Sequence, residues 1–127
     1  MLDIEKEAAK LIAEQTEIKT VLTIPEQRPN EFIGVELVGQ SGSRFVRRCM
    51  LTVQAWADTR QRAVKIANEA SRAAYFLDIH PNIFAPEVSN FYRFPDPDSK
   101  QERYQMTVEF SVCEWKENKC LKLTPIM

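Results

Sequence analysis

The sequence predicts an α+β domain: a mainly antiparallel or mixed sheet of about five strands with two α-helices packed on it, in the order α-β-β-β-α-β-β. Two segments, one at the N-terminus and one in the middle, repeat their apolar residues at helical spacing. The other apolar segments alternate apolar and polar residues, as half-buried strands do. With 127 residues, the chain is expected to form a single domain, 1–127.

The first predicted helix begins near Asp3. Asp3 is a suitable N-cap, and Glu5 and Glu7 follow it in the first turn, where the helix dipole favours negative charge. The apolar residues of this segment share one helical stripe: Ile4, Ala8, Leu11 and Ile12. One side of this helix is therefore expected to pack on the rest of the domain.

Three strands are predicted next. A short β-branched run at residues 19–24 ends at Pro25, and residues 32–38 and 49–56 show strand alternation. The sequence GQSGS (39–43) lies between the second and third runs and predicts a flexible turn. Two alternating runs joined by a turn indicate an antiparallel hairpin.

The longest predicted helix covers residues 60–77 and begins at a cap provided by Asp58 or Thr59. Its apolar stripe is mostly alanine: Ala63, Ile66, Ala67, Ala70, Ala74 and Leu77. Small side chains allow a helix to lie close to a sheet or to another subunit. His80-Pro81 ends this region, because proline disfavours helical geometry in the residue before it.

The last third of the chain predicts a second pair of strands. Residues 88–94 form an aromatic-rich strand, and FPDPDSKQ (94–101) forms a loop, because two prolines prevent a regular ladder. Residues 103–115 show the most regular alternation. The residues expected to point inward are Tyr104, Met106, Val108, Phe110 and Val112.

The charge, the apolar runs and the cysteine content do not predict a nucleic-acid-binding protein, a membrane protein or a disulfide framework. The net charge is -1, and the basic residues between positions 44 and 65 are not accompanied by a nucleic-acid-binding motif. A solvated basic face is the favoured interpretation, and a DNA-binding patch is the alternative. The chain's cysteine count of 3 is odd, and the absence of a CxxC motif predicts free thiols. No apolar run approaches the ~20 residues of a membrane span.

No motif predicts catalysis, a cofactor or a metal site. GQSGS resembles the GxSxG nucleophile elbow but has Ser43 as its fifth residue and precedes a strand instead of a helix. His80 is the only histidine, and a turn residue is favoured over a general base. Asp96 and Asp98 alternate with proline, which is typical of a turn, although two carboxylates could also bind a hard cation. We therefore expect a protein that is not an enzyme.

Four segments together resemble a known family: RPNEFIGVE (28–36), VQAWAD (53–58), the alanine-rich helix, and YRFPDPDSKQERYQMTVEF (92–110). In this order and spacing, the chain resembles the tail terminator, or tail completion, proteins of long-tailed bacteriophages and prophages, in particular the forms common in actinobacterial phages. The resemblance extends from the first helix to about Val112. The segment KENKCLKLTPIM after Trp115 has no counterpart in it.

The resemblance implies an α+β domain similar to the lambda-type terminator. Such proteins form a ring, usually a hexamer, at the head-proximal end of the tail tube, where the ring stops tube polymerisation and presents a surface to the head. The implied partners are further copies of the chain, the tail tube protein and a head–tail connector or stopper protein, without a cofactor, small-molecule substrate or membrane. The implied location is the virion tail, after assembly in the host cytoplasm.

Two other functions remain open. One is another joining protein of the virion, such as a stopper or head-completion protein. The other is a small catalytic, host-interacting or nucleic-acid-binding protein that uses the basic stretch or His80.

Physical reasoning suggests which residues contact neighbours in a ring. A ring needs a heterologous interface, in which one surface meets a different surface of the next subunit, and loops carry much of recognition. We therefore expect the basic hairpin tip to meet the acidic loop 94–101 of a neighbour or the tube. The candidate interface residues are Arg44, Arg47, Arg48, Phe94, Asp96, Asp98 and Arg103. The alternative is that both loops are only solvated turns. For Trp56, a core residue is the favoured interpretation and an interface residue is the alternative.

Overall fold

A computed structural model describes residues 3–43 and 45–113. The elements in chain order are α1 (Ile4–Thr16), β1 (Thr20–Val21), β2 (Phe32–Gly42), β3 (Val46–Ala57), α2 (Arg60–Ala74), a 3₁₀ turn (Leu77–Ile79), β4 (Ile83–Arg93) and β5 (Glu102–Cys113). The predicted α+β class and the predicted order of helices and strands are confirmed.

The five strands form one mixed sheet in the order β1-β2-β3-β5-β4. β1 pairs with β2 in parallel, and the other neighbours are antiparallel. The parallel pair involves only two positions, Thr20 with Ile33 and Val21 with Gly34. Beyond them, β2 is an outer strand of the sheet, and β4 is the outer strand on the opposite side.

Side-chain caps fix where both helices begin. The Asp3 carboxylate accepts a hydrogen bond from the Lys6 amide at 3.2 Å, as the sequence predicts. Thr59, not Asp58, caps α2, because its hydroxyl accepts from the Arg62 amide at 3.2 Å. α2 ends at Ala74 and the 3₁₀ turn follows, so the predicted helix boundary at residue 77 is too late.

Both helices pack on the same face of the sheet and form the core with it. Every residue of the predicted alanine-rich stripe of α2 is buried. Met106, Val108 and Phe110 of β5 are fully buried in this core, which confirms the predicted register of that strand. The small alanine side chains allow α2 to approach β3 and β5 closely.

The predicted turn at residues 39–43 is largely wrong. Gly39–Gly42 continue β2 and pair with residues 47–50 of β3, so the hairpin extends to Ser43. A bulge between Leu37 and Gly39 shifts the register. At Gly42, φ is 122°, and an added Cβ would lie 2.5 Å from the carbonyl oxygen of Val46. This glycine is needed for the close approach of two strands.

β4 begins at Ile83, earlier than the predicted residue 88. Two bulges interrupt the alternation of its side chains, and the sequence therefore does not show where the strand starts. The register with β5 shifts between Phe84 and Glu87 and again between Ser89 and Tyr92. Ala85 and Asn90 have left-handed backbones at these points, each with φ of 52°. Bulges of this kind also hinder pairing of an outer strand with another sheet.

The thiol prediction is confirmed for one described cysteine and wrong for the other. Cys49 forms no disulfide and is fully buried beneath the helices. Cys113, at the end of β5, is disulfide-bonded. Among the described helices, none is both long and apolar enough to cross a membrane.

Candidate functional site

The sheet face that the helices leave uncovered, hereafter the open face, carries three rows of side chains across β2, β3 and β5. The strand register places these residues in the rows Phe32–Trp56–Arg103, Gly34–Gln54–Gln105 and Glu36–Thr52–Thr107. The first row lies at the end of the sheet where β3 leads into α2. The sequence-predicted site residues Phe94, Asp96 and Arg103 lie at this end.

The first row belongs to an aromatic–arginine cluster formed by Arg28, Phe32, Trp56, Phe94 and Arg103. The Trp56 ring is stacked on Phe32 at 5.3 Å between centroids with an interplanar angle of 11°. The Cζ atoms of Arg28 and Arg103 lie 4.9 and 4.8 Å from the Trp56 ring centroid. Arg103 also lies 4.3 Å from the centroid of Phe94. Cation–π attraction therefore adds to the apolar packing.

Trp56 is only 2% exposed although it lies outside the core between sheet and helices. Phe32 and the guanidinium groups of Arg28 and Arg103 lie against its ring and contribute to this burial. The interpretation of Trp56 as a buried residue is thus confirmed, with the correction that it is buried on the open face.

Asp96 connects two loops that are distant in sequence. Its carboxylate lies 2.6 Å from Nη1 of Arg28, 68 residues away, and also accepts hydrogen bonds from the Ser99 hydroxyl and the Asp98 amide. Hydrogen bonding from Arg28, followed by that from the Asp98 amide, lowers the pKa of Asp96 to about 2. A bond from the Gln101 side chain to the Pro29 carbonyl, 3.0 Å, joins the same loops. The acidic loop is therefore held in one conformation by internal contacts.

Three of the four segments that carry the family resemblance meet in this cluster. Residues 28–36 supply Arg28 and Phe32, residues 53–58 supply Trp56, and residues 92–110 supply Phe94 and Arg103. Sequence analysis missed the part played by Arg28, because nothing local indicates a contact across 68 residues.

The second row is a chain of hydrogen bonds between side chains. Trp56 Nε1 donates to Oε1 of Gln54 at 3.3 Å, Gln54 Nε2 donates to Oε1 of Gln105 at 2.9 Å, and Gln105 Nε2 donates to the Tyr92 hydroxyl at 2.8 Å. Each amide is both donor and acceptor, so the orientation of one fixes that of the next. These hydrogen bonds connect β3, β5 and β4 across the middle of the open face.

A cleft of about 360 Å³ lies over the second and third rows, beneath the segment that follows β1. The residues lining it are Leu22, Thr23, Ile24, Gly34, Val35, Glu36, Thr52, Gln54 and Arg103. Gly34 lets Ile24 lie close to the sheet, because a Cβ on Gly34 would be only 3.1 Å from the Ile24 Cδ1 atom.

The predicted basic residues lie at the opposite end of the sheet from the acidic loop. Arg47 and Arg48 are near the start of β3, and the aromatic–arginine cluster is at its end, roughly 28 Å away for the eight or nine residues between them. Arg48 donates to the Ser111 hydroxyl and lies 3.5 Å from a carboxylate oxygen of Glu87. Arg47 donates to Gln40 at 2.8 Å. Arg44 lies outside the described residues.

The acidic candidates differ from each other in availability. The Asp96 side chain is 9% exposed and paired with Arg28, so Asp96 stabilises its own loop instead of presenting a charge to a neighbour. Asp98 is exposed, and Phe94 is 45% exposed. Asp98 and Phe94 are therefore more accessible to another molecule than Asp96 is.

His80 is held in a structural position. Its Nδ1 accepts a hydrogen bond from the Asn82 amide at 3.1 Å, and its Nε2 lies 3.5 Å from a carboxylate oxygen of Glu7 in α1. These contacts join the turn before β4 to the first helix. Across residues 3–43 and 45–113, no three His, Cys, Asp or Glu side chains are grouped as a metal site requires.

Two groups of exposed apolar side chains lie on different parts of the domain. The hairpin patch consists of Val38, Val46 and Met50, which are 49%, 46% and 38% exposed. The helix-end patch consists of Tyr75, Phe76 and Ile79, which are 50%, 49% and 62% exposed. The first is on β2 and β3. The second follows α2, where the Tyr75 hydroxyl accepts from the Val88 amide of β4.

Comparison with known proteins supplies no relative. No protein-family model matches the chain, and no curated protein is significantly similar to it. The function is therefore inferred from the residues themselves and from the resemblance of the four segments.

Proposed function

We propose that this protein is a structural subunit that assembles into a ring, six-membered by its resemblance to tail terminators, at the head-proximal end of a phage tail tube. There it would end tube polymerisation and provide the surface for head joining. The observation that carries the ring is the pair of different apolar patches, one on the β2–β3 hairpin and one after α2. The tail position and the partners, a tube protein and a connector or stopper protein, come from the resemblance.

Two different patches favour a ring over a twofold dimer. A twofold contact uses the same surface on both copies, whereas a heterologous contact joins surface A of one copy to surface B of the next. Contact between the hairpin patch and the helix-end patch of the next subunit leaves one free patch at each end of any open chain. A chain of this kind closes when the rotation per subunit divides a full turn.

Burying these patches supplies a driving force. Large apolar side chains that are about half exposed still have surface to remove from water, at roughly 25 cal/mol per Å². The bulges at Ala85 and Asn90 disfavour direct strand pairing along β4, so side-chain contact beside that edge is the favoured mode of association.

A pair of substitutions tests the heterologous contact. Val46→Asp should disable the hairpin patch and Ile79→Asp the helix-end patch, so neither variant should form rings in negative-stain micrographs. A 1:1 mixture should give heterodimers by light scattering, because one intact contact remains between the two variants and nothing can extend it.

Gln61→Asp is the matched control, because Gln61 is exposed on α2 outside both patches. Rings of uniform diameter should persist in this variant. A monomeric unaltered protein, or dimers of either single variant alone, would contradict the proposal. The tail assignment is tested separately by gene order: a tail tube protein should be encoded just after this gene.

A further inference from the structure

Arg103 has unused hydrogen-bonding capacity on the open face. Its guanidinium lies between Trp56 and Phe94, and its Nε donates to the Phe94 carbonyl at 2.7 Å. Within the described part of the chain, its two terminal nitrogens have no hydrogen-bond acceptor, and no carboxylate lies within ion-pair distance of them. The two rings and the Nε bond hold this group in one orientation.

The cluster contains more positive than negative charge. Arg28 and Arg103 both lie against Trp56, and Asp96 pairs directly with Arg28. Burial lowers the pKa of Arg103; the charge of Asp96 opposes this effect, and the charge of Arg28 adds to it. Asp96 alone does not fully balance the repulsion between Arg28 and Arg103. A second anion placed at Arg103 would therefore offset the remaining repulsion.

The space beside Arg103 can hold such an anion. Arg103 is one wall of the cleft of about 360 Å³, whose floor includes Thr52 and Gln54 and whose outer wall includes Leu22 and Ile24. Glu36, the acidic residue lining the cleft, is in the third row while Arg103 is in the first. Four residues along the strands and two strands across correspond to roughly 16 Å between their Cα atoms.

We propose that this cleft is a docking site for an aspartate or glutamate side chain of a partner protein, whose carboxylate binds the terminal nitrogens of Arg103. A planar guanidinium with two free nitrogens matches a carboxylate in bidentate geometry. An apolar residue beside that carboxylate would contact Leu22, which is 41% exposed, and Ile24.

A protein carboxylate fits this site better than a nucleic-acid phosphate. Binding a phosphate backbone requires several cations along a track. Here one arginine faces the cleft, Glu36 also lines it, and the charge of Asp96 acts on Arg103. The proposal does not depend on ring formation, because it concerns a surface distinct from both apolar patches.

The test uses two blocked dipeptides as probes, acetyl-Glu-Leu-amide and its neutral counterpart acetyl-Gln-Leu-amide. Each is titrated into the ¹⁵N-labelled full chain while the Arg103 Nε–H signal and the Thr52 and Gln54 amides are followed by NMR. The glutamate probe should give saturable shifts at millimolar concentration, and the glutamine probe should bind at least about tenfold more weakly.

Variants distinguish docking at Arg103 from general attraction of anions. Arg103→Gln should abolish the shifts at Thr52 and Gln54, and Arg103→Lys, which keeps the charge and guards against misfolding, should weaken them. Arg62→Gln should leave them unchanged, because Arg62 is already paired with Glu31 on the helical side. Equal binding of both dipeptides, or unchanged binding to Arg103→Gln, would overturn the proposal. Stronger shifts with a ten-nucleotide oligo-dT would overturn it in favour of a nucleic-acid site.

Discussion

At the residue scale, Trp56 is the side chain that connects the contacts at one end of the molecule. Phe32 packs on one side of it, and Arg28 and Arg103 lie over the ring. Each arginine is in turn connected to a loop, Arg28 through Asp96 and Arg103 through the Phe94 carbonyl. Loss of the indole therefore removes packing and also the support for two loop contacts.

Replacing Trp56 with alanine should lower the free energy of unfolding by about 3–5 kcal/mol, because it leaves a cavity beneath the two arginines. Trp56→Phe should cost clearly less, since a ring remains for Phe32 to stack on. Urea denaturation followed by circular dichroism measures both. Phe76→Ala, at a side chain that is 49% exposed, is the control and should change stability little. A loss below about 1 kcal/mol for Trp56→Ala would contradict this role.

Asp96 should make stability depend on pH in the acidic range. Its folded pKa of about 2 lies below the value of about 3.9 expected in the unfolded chain, so folding favours the ionised form. Its contribution is complete above the unfolded pKa and is lost as pH falls through about 4 towards 2. Asp96→Asn should flatten the stability profile between pH 5 and 2, measured by thermal unfolding.

The matched control for this pH dependence is Asp98→Asn, because Asp98 is exposed and contributes its amide, not its side chain, to the Asp96 contacts. Its stability profile should keep the acid slope of the unaltered protein. Equal slopes in all three proteins would show that Asp96 is not the group responsible.

At the element scale, the β2–β3 hairpin depends on one glycine and not on another. Gly42→Ala should destabilise the protein by about 1–3 kcal/mol, because φ is 122° and the new Cβ would meet the Val46 carbonyl at 2.5 Å. Gly39→Ala is the control, since no atom lies within 4 Å of its added Cβ. Chemical denaturation of both variants tests this difference, and equal midpoints would contradict it.

The two outer strands of the sheet differ in how they limit association. β4 has two bulges and Pro86, whereas β2 is flanked by the short β1 and by a bond from its Leu37 amide to the Glu5 side chain. These features disfavour extension of the sheet by another strand at its outer strands.

At the scale of the whole molecule, the two loops predicted to meet in a ring lie at opposite ends of the sheet. Arg47 and Arg48 are at one end, and Asp98 is exposed at the other, so neither arginine can pair with Asp98 of the same chain. Each exposed ion pair contributes only about 0–1 kcal/mol, but a ring repeats every contact. The charge-paired loops remain a prediction, now restricted to Asp98 because Asp96 is occupied by Arg28.

Reversing the charge at Asp98 should weaken ring formation or tail capping, and the effect should be larger at low salt, where screening is least. Sedimentation velocity at two salt concentrations measures the ring population of Asp98→Arg. Asp58→Arg is the control, because Asp58 is exposed just after β3 but outside the acidic loop. Identical ring populations for both variants at both salt concentrations would show that the loop makes no charged contact.

The sequence by itself determined the class of the fold, the order of its elements and most of the core. Alternation in 103–112 and the alanine stripe of α2 record which side of each element is buried, because periods of two and 3.6 residues are local properties of strand and helix. The cap at Asp3 was predictable for the same reason, since donor and acceptor are within one turn. The bulged β4 escaped this logic because each extra residue reverses the alternation.

Only the tertiary structure decided how the candidate site is built. Arg28 and Asp96 are 68 residues apart, and no local pattern shows that their loops meet, or that Asp96 is thereby removed from the exposed surface. The contacts of Trp56 on the open face likewise join it to Arg28 and Phe32 before it in sequence and to Arg103 after it. Such contacts are fixed by the order of strands in the sheet, which brings β5 against β3, and that order depends on the packing of the whole chain.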